Sequence, residues 1–268
     1  MANSSRNTRP LLAGQNAKLV SVLSVMAAVA WISVYYLMMN SMQGSMDWSA
    51  GSMGVMFVAL DFRVLLLFLV VWVIGMVAMM FPAMIPVVSI YDATIGKSTS
   101  YPTISSLLFL TGYLAVYMAL GLSAYLGVLL VIRLIAFVPQ LSGYGVYAAG
   151  AVLVATGVYQ LTSFKDACLK KCVSPLGFFL THARKGLRGA VWMGAEHGYY
   201  CAACCCLYMI VMFVVAGMSL PAMAMLAIVI ALEKVMLKGA RWFSWLTAGG
   251  FIALGLVTLF FPNISMFT

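Results

Sequence analysis

The chain has 268 residues, of which 65% are hydrophobic and only 8% charged, and its mean hydropathy is +1.07. An ordinary soluble domain carries roughly 25% charged residues, so these figures exclude a water-soluble globular domain, a disordered chain and a small disulfide scaffold. A formal charge of +9 in so apolar a chain points to lysines and arginines at a membrane face rather than to nucleic acid. Long unbroken apolar runs argue for helices and against a transmembrane β-barrel, whose strands alternate polar and apolar positions.

The expected fold is all-α, a polytopic helical membrane bundle of about seven transmembrane helices with its N-terminus inside. Residues 1–18 read as a polar N-terminal tail and 19–262 as a single transmembrane domain, with a cytoplasmic cysteine-containing loop at 161–189. The apolar segments are Leu19–Met39, Val64–Val88, Thr103–Ile132, Gly143–Gln160, Ala190–Gly217, Leu220–Val235 and Trp242–Phe261. A helix crossing the hydrocarbon core needs about 20 residues, so the sixth segment is short. Ala28-Val29-Ala30 resembles a signal-peptidase site, but the apolar run continues to Met39, which favours an uncleaved anchor. With the N-terminus inside, thirteen basic residues fall on inside segments and only Arg63 and Arg133 outside, the bias of a bacterial plasma-membrane protein.

Candidate ligands occur in chain order from the second segment onward. That segment carries Met76, Met80 and Met84 every fourth residue, with Pro82 and Pro86 breaking the backbone ladder beside them. Thioethers suit Cu(I) and not magnesium or calcium, although a methionine stripe is also ordinary core. Twenty-one methionines in the chain are about three times common usage. Further methionines (Met38, Met39, Met42, Met46, Met53 and Met56), with Asp47, sit at the first outside loop, which reads either as a weak copper-collecting surface or equally as a floppy interface loop. In the 161–189 loop, Cys168 and Cys172 share a helical face at i, i+4, and in the cytosol both are reduced.

The densest cluster lies in the fifth segment, Glu196-His197-Gly198-Tyr199-Tyr200-Cys201-Ala202-Ala203-Cys204-Cys205-Cys206. At about 100° per residue, His197, Cys201 and Cys204 share one face and Cys206 faces away. His197 and Cys204 are separated by a rise of roughly 10 Å, so Cys201 is the residue that can pair with either. Imidazole with thiols suits zinc or copper, and a sulfur-rich set leans to Cu(I). Gly194 and Gly198 form a small-x-x-x-small pair that lets a neighbouring helix approach closely. Glu233, followed by Lys234, ends the sixth segment; it reads either as an interfacial pair or as a carboxylate that balances a cation or orients a histidine. The second-segment methionines, the two loop cysteines, Glu196, His197 and Cys201, and Glu233 sit at the inner level of the expected bundle.

Three stretches resemble a bacterial family of predicted metal-binding integral membrane proteins without an assigned activity. The first is Trp72 with Met76-Val77-Ala78-Met79-Met80-Phe81-Pro82. The second is Gly157-Val158-Tyr159-Gln160-Leu161-Thr162 with Lys165, Cys168, Cys172 and Pro175. The third is His197-Gly198, Cys201 and Cys204-Cys205 with Gly217-Met218 and Glu233-Lys234. The resemblance spans roughly Leu65 to Pro262. Ser163, Val173 and Cys206 depart from the family's usual residues and remove no candidate ligand. The resemblance implies a predicted metal site and a helical membrane fold.

The residues therefore lead to a membrane protein that binds, moves or delivers copper, with zinc the second choice. The metal site is expected from Cys168, Cys172, His197, Cys201, Cys204, Cys205, Glu233, Met76 and Met80. No catalytic role is assigned, and the expected partners are the lipid bilayer and a copper enzyme or other membrane subunits. The rival reading is an accessory subunit of a larger membrane complex such as a copper-dependent oxidase or monooxygenase. A thiol redox enzyme cycling Cys168 and Cys172, and haem ligation by His197, are the lesser alternatives.

Overall fold

The computed structural model describes residues 8–43, 62–95, 101–184, 186–215, 219–236 and 241–261. These residues are helical almost throughout and contain no strand. In chain order the helices are α1 (Thr8–Gln43), α2 (Phe62–Thr94), α3 (Pro102–Phe137), α4 (Gly145–Gln160), α5 (Ser163–Val173), α6 (Pro175–His182), α7 (Gly186–Val214), α8 (Leu220–Ala231) and α9 (Arg241–Phe260). A 3₁₀ segment, Pro139–Tyr144, joins α3 to α4, and a π-helical turn, Leu232–Met236, continues α8. The polar stretch expected as an N-terminal tail enters α1 at Thr8.

The expected number of crossings is corrected. Among the described residues five helices are long and apolar enough to cross a membrane, or six if α4 and α5 together form one span, not seven. The cause lies in two segments. The chain turns by 66° between α4 and α5, so the fourth apolar segment ends after the 16 residues of α4. The sixth supplies only the 12 residues of α8 before its geometry changes to the π turn, well short of the roughly 20 that a full crossing takes. The first outside loop, with Met46, Asp47, Met53 and Met56, lies outside the described residues.

The bend is written locally. Thr162 caps α5, its side-chain oxygen accepting a hydrogen bond from the Lys165 backbone N–H at 3.3 Å. Asp166 stands in the first turn of α5 and Lys170 and Lys171 in the last, each charge opposite to the helix-dipole end it faces. Pro175 then occupies the first turn of α6, where its missing N–H costs nothing. The stretch expected as a loop is thus two short helices that turn Cys168, Leu169 and Cys172 into the interior.

Three helix pairs make the frame: α3 along α7, α4 along α9, and α1 along α2. The α3–α7 contact is the closest in backbone terms. A Cβ added at Gly194 would stand 1.9 Å from the Phe109 carbonyl oxygen, and one at Gly112 would stand 2.0 Å from that of Val191. Gly198 continues the same contact at Tyr113, as the small-residue spacing predicts. Across the α2–α3 contact, the buried Trp72 indole donates to the Tyr117 carbonyl at 2.9 Å. Large apolar side chains stay exposed on the outward faces, including Val25 on α1, Leu126 and Leu130 on α3 and Trp245 and Leu246 on α9.

Gly194→Ala is expected to destabilise the protein by about 1–3 kcal/mol, because the added methyl meets backbone that cannot yield. Gly249→Ala, where a Cβ meets nothing within 4 Å, should be neutral or mildly stabilising. Thermal unfolding of the two variants in detergent measures the contrast.

Candidate functional site

Helix α7 brings its ligands inward by its own periodicity. His197, Cys201, Cys204 and Cys205 are all buried, whereas Cys206 is only half-buried. Cys172 comes from α5, Tyr113 and Tyr117 from α3, and Lys234 from the π turn after α8. Cys172, His197, Cys201 and Lys234, with Met84 and Pro86 from α2, line a cavity of about 290 Å³; the two tyrosines and Cys204 pack behind Cys201. The described cysteines are all free thiols.

Cys201 is the hub. Its Sγ accepts from the Lys234 ammonium at 2.9 Å and from the Tyr117 hydroxyl at 3.3 Å, and shares a hydrogen bond with the Tyr113 hydroxyl at 3.2 Å. The Cys204 and Cys205 thiols both turn back to the Cys201 carbonyl, at 3.0 and 2.9 Å. Cys204 Sγ also lies 3.8 Å from Cys172 Sγ, joining α7 to α5. His197 is 1% exposed, enclosed by the Phe109, Tyr113 and Phe178 rings. Its Nδ1 is buried with no hydrogen-bond partner. A buried imidazole nitrogen without a partner forgoes a hydrogen bond that most buried polar atoms make, and its residue lines the cavity that carries two thiols and a thioether.

The remaining expected ligands divide. Cys168 is buried and within electrostatic reach of Cys204 and Cys206, but it does not line the cavity. Met76 and Met80 are buried on α2 without reaching the cavity wall; Met84, one turn further along the same stripe, is the methionine that does. Pro86 reaches it as well, so the proline-broken stretch faces the cavity. Glu233 is engaged elsewhere. Its Oε1 accepts from the Lys165 ammonium and from the Ser244 hydroxyl, and Lys165 also donates to the Gln160 side chain. This fully buried cluster ties α4 and α5 to α9 through the π turn. Glu233 does balance a cation, and that cation is Lys165.

Among the described residues no three His, Cys, Asp or Glu side chains already form a group shaped for an ion. The geometry supplies the reason. An ammonium sits on Cys201, and Cys204 and Cys205 point to a backbone carbonyl. Side-chain rotation at Cys204 and withdrawal of Lys234 are the movements that would open the sulfurs to an ion. Lys234 and the two tyrosines were not among the expected site residues. In the sequence Lys234 reads only as the neighbour of Glu233 and as a charge carried by a short apolar segment.

Two neighbouring features border the site. His182 Nε2 lies 3.4 Å from Glu196 Oε1, and the Phe178 ring stacks on His182 while meeting His197 edge-on. A larger apolar cavity of about 1160 Å³ lies between α3, α4 and α7, with Tyr117, Cys205 and Cys206 on its wall. It lacks the histidine and Lys234, so the smaller cavity is the candidate site.

A family model described as PpoB2, copper chaperone, matches residues 69–258 of the chain. That range holds all the residues of the smaller cavity. No curated protein and no solved structure matches the chain.

Mild oxidation should join Cys172 to Cys204, giving a disulfide-linked peptide pair from α5 and α7 on mass spectrometry; a Cys168–Cys172 disulfide as the main product would contradict the geometry. Separately, Glu233→Gln leaves Lys165 buried without its counter-charge. It should lower stability by about 3–5 kcal/mol, read as a fall in the thermal midpoint that Ser244→Ala reproduces only in small part.

Proposed function

The chain belongs to the PpoB2 copper chaperone family, and on that premise we propose that it is an integral membrane protein which binds Cu(I) in the smaller cavity and delivers it to a copper enzyme. The ligands of this reading are Cys172, Cys201 and His197, with Cys204 turning in from the next helical turn and Met84 as a weak fourth donor. Two thiols and an imidazole make a soft set of low coordination number, which suits Cu(I) better than oxygen-seeking ions. The observation that carries the reading is that His197, whose buried Nδ1 has no hydrogen-bond partner, lines one cavity with Cys172 and Cys201.

The membrane part of the proposal draws on the apolar faces that α1, α3 and α9 leave exposed and on the long apolar helices. A bilayer supplies the apolar surroundings those faces need. The basic residues around α5 and α6 fit the cytoplasmic side of a plasma membrane, and a cavity at the inner leaflet is part of this proposal. Reduced thiols and Cu(I) belong together in that compartment.

A second reading, an accessory subunit of a larger membrane complex, draws on the apolar cavity of about 1160 Å³ between α3, α4 and α7, a surface that another subunit's helix would fill. Purification in mild detergent in a stable, stoichiometric complex would favour it over a free-standing chaperone.

Protein purified in detergent under reducing conditions is expected to take up one Cu(I) per chain in competition with a chromophoric Cu(I) chelator. Cys172→Ser, Cys201→Ser and His197→Ala should each weaken binding by at least about tenfold, the equivalent of roughly 1.4 kcal/mol, with unchanged elution on size exclusion. X-ray absorption of the loaded protein should show sulfur and nitrogen neighbours together. Wild-type protein that retains no copper against the chelator refutes the reading.

A further inference from the structure

The π turn Leu232–Met236 sends two consecutive charges in two directions. Glu233 reaches the buried Lys165. Lys234 reaches Cys201 Sγ at 2.9 Å and lines the cavity beside Cys172 and His197. Lys234 is only 9% exposed. Among the described residues no carboxylate lies within ion-pair distance of its ammonium, and the carboxylate next to it in sequence is committed to Lys165. A π turn inside a helix is a costly irregularity that frequently marks a functional position. Here it places a positive charge without a carboxylate partner against the sulfur at the centre of the candidate site.

We propose that Lys234 is a valence filter: its ammonium occupies the place of the ion on Cys201 in the empty site, and its charge selects monovalent copper over divalent zinc. The inference rests on the reading that this cavity binds copper and names what decides which ion it accepts. An arriving ion has to displace Nζ from Cys201 Sγ. The flexible four-carbon stem of lysine lets the ammonium retreat while the π turn stays in place. Either ion binds the sulfurs as thiolates and releases the same thiol protons to solvent, so that beside the retreated ammonium the Zn(II)-loaded site carries one more positive charge than the Cu(I)-loaded one. The retreated ammonium remains within a few ångströms of the ion, in surroundings where charge is weakly screened. Coulomb repulsion grows with the product of the charges, so it opposes a divalent ion twice as strongly as a monovalent one. Zinc otherwise suits thiol and imidazole ligands well, so donor chemistry alone does not exclude it.

The Lys165–Glu233 pair cannot play this part, because its two charges cancel within the pair. The two phenols on Cys201 cannot either, since neutral hydroxyls carry no net charge to distinguish the ions. The filter thus belongs to one side chain, and ratios of affinities isolate it: any effect of Lys234 on Cys201 itself enters both affinities alike and drops out.

The test measures Cu(I) and Zn(II) affinities at one fixed pH, by chelator competition, on full-length protein in detergent. In Lys234→Met the Zn(II)-to-Cu(I) affinity ratio should rise by at least about tenfold, whereas in Lys234→Arg, which keeps the charge, it should stay within about threefold of wild type. Lys234→Gln carries the same expectation as the methionine variant and serves if that variant does not fold. A ratio unmoved in the neutral variants, or an equal rise in the arginine variant, overturns the filter. Cys201→Ser separates the two levels. If it abolishes copper binding while the ratio fails to move, the filter alone is wrong. If the wild type binds no copper, or Cys201→Ser binds it as tightly, the copper site falls and the filter with it.

Discussion

Charge in an apolar interior has to be met, and that requirement organises the bundle around the π turn after α8. A buried ion that loses its partner costs several kcal/mol, and the π turn after α8 carries two such groups in succession. Glu233 is met by Lys165 and Ser244, and Lys234 by Cys201. The first contact anchors the turn to α5 and α9, and the second anchors it to α7. The segment that is too short to complete a regular crossing is therefore the one through which the surrounding helices are cross-braced.

The cavity follows from the same bracing together with two steric facts. The turn of 66° between α4 and α5 carries Cys172 to within 3.8 Å of Cys204. The close α3–α7 approach at Gly112 and Gly194 brings the Tyr113 and Tyr117 hydroxyls to Cys201. Neither arrangement needs the other, yet both end on α7 within one helical turn. Three buried side-chain atoms among the described residues lack a partner, Glu196 Oε2, His197 Nδ1 and the Tyr208 hydroxyl, and of the three residues His197 is the one that lines the cavity.

Much of this was legible in the residues, for identifiable reasons. Helix periodicity places His197, Cys201 and Cys204 on one face whatever the rest of the chain does, and small residues at Gly194 and Gly198 announce a close helix neighbour. The i, i+4 spacing of Cys168 and Cys172 foretold a helix but not which thiol would reach the cavity, since that depends on how α5 docks. The methionine stripe was visible as a stripe, while its register against α7 was not, and Met84 took the place expected of Met76 and Met80. The count of crossings failed where apolar composition and helical geometry part company: the residues of α8 are apolar enough, but the π turn and a buried charge pair end the helix early. Partners far apart in sequence, Lys165 with Glu233 and Lys234 with Cys201, leave no local signature at all, because pairing across a bend is set by packing and not by spacing.

A carrier that must both hold and surrender an ion faces a conflict that the arrangement around Cys201 addresses. A site of thiols alone binds soft ions tightly and releases them slowly, and when empty it leaves buried sulfurs to find other partners. In this chain each sulfur already has one: Cys201 the ammonium and two phenols, Cys204 and Cys205 a backbone carbonyl. In the proposed function, loading exchanges one set of sulfur contacts for another, so that the emptied site does not leave these three sulfurs without partners. The free energy of binding is then a difference between two sets of sulfur contacts, smaller than the strength of the metal–sulfur bonds themselves, and it is that reduction which makes passing the ion onward compatible with holding it in the first place.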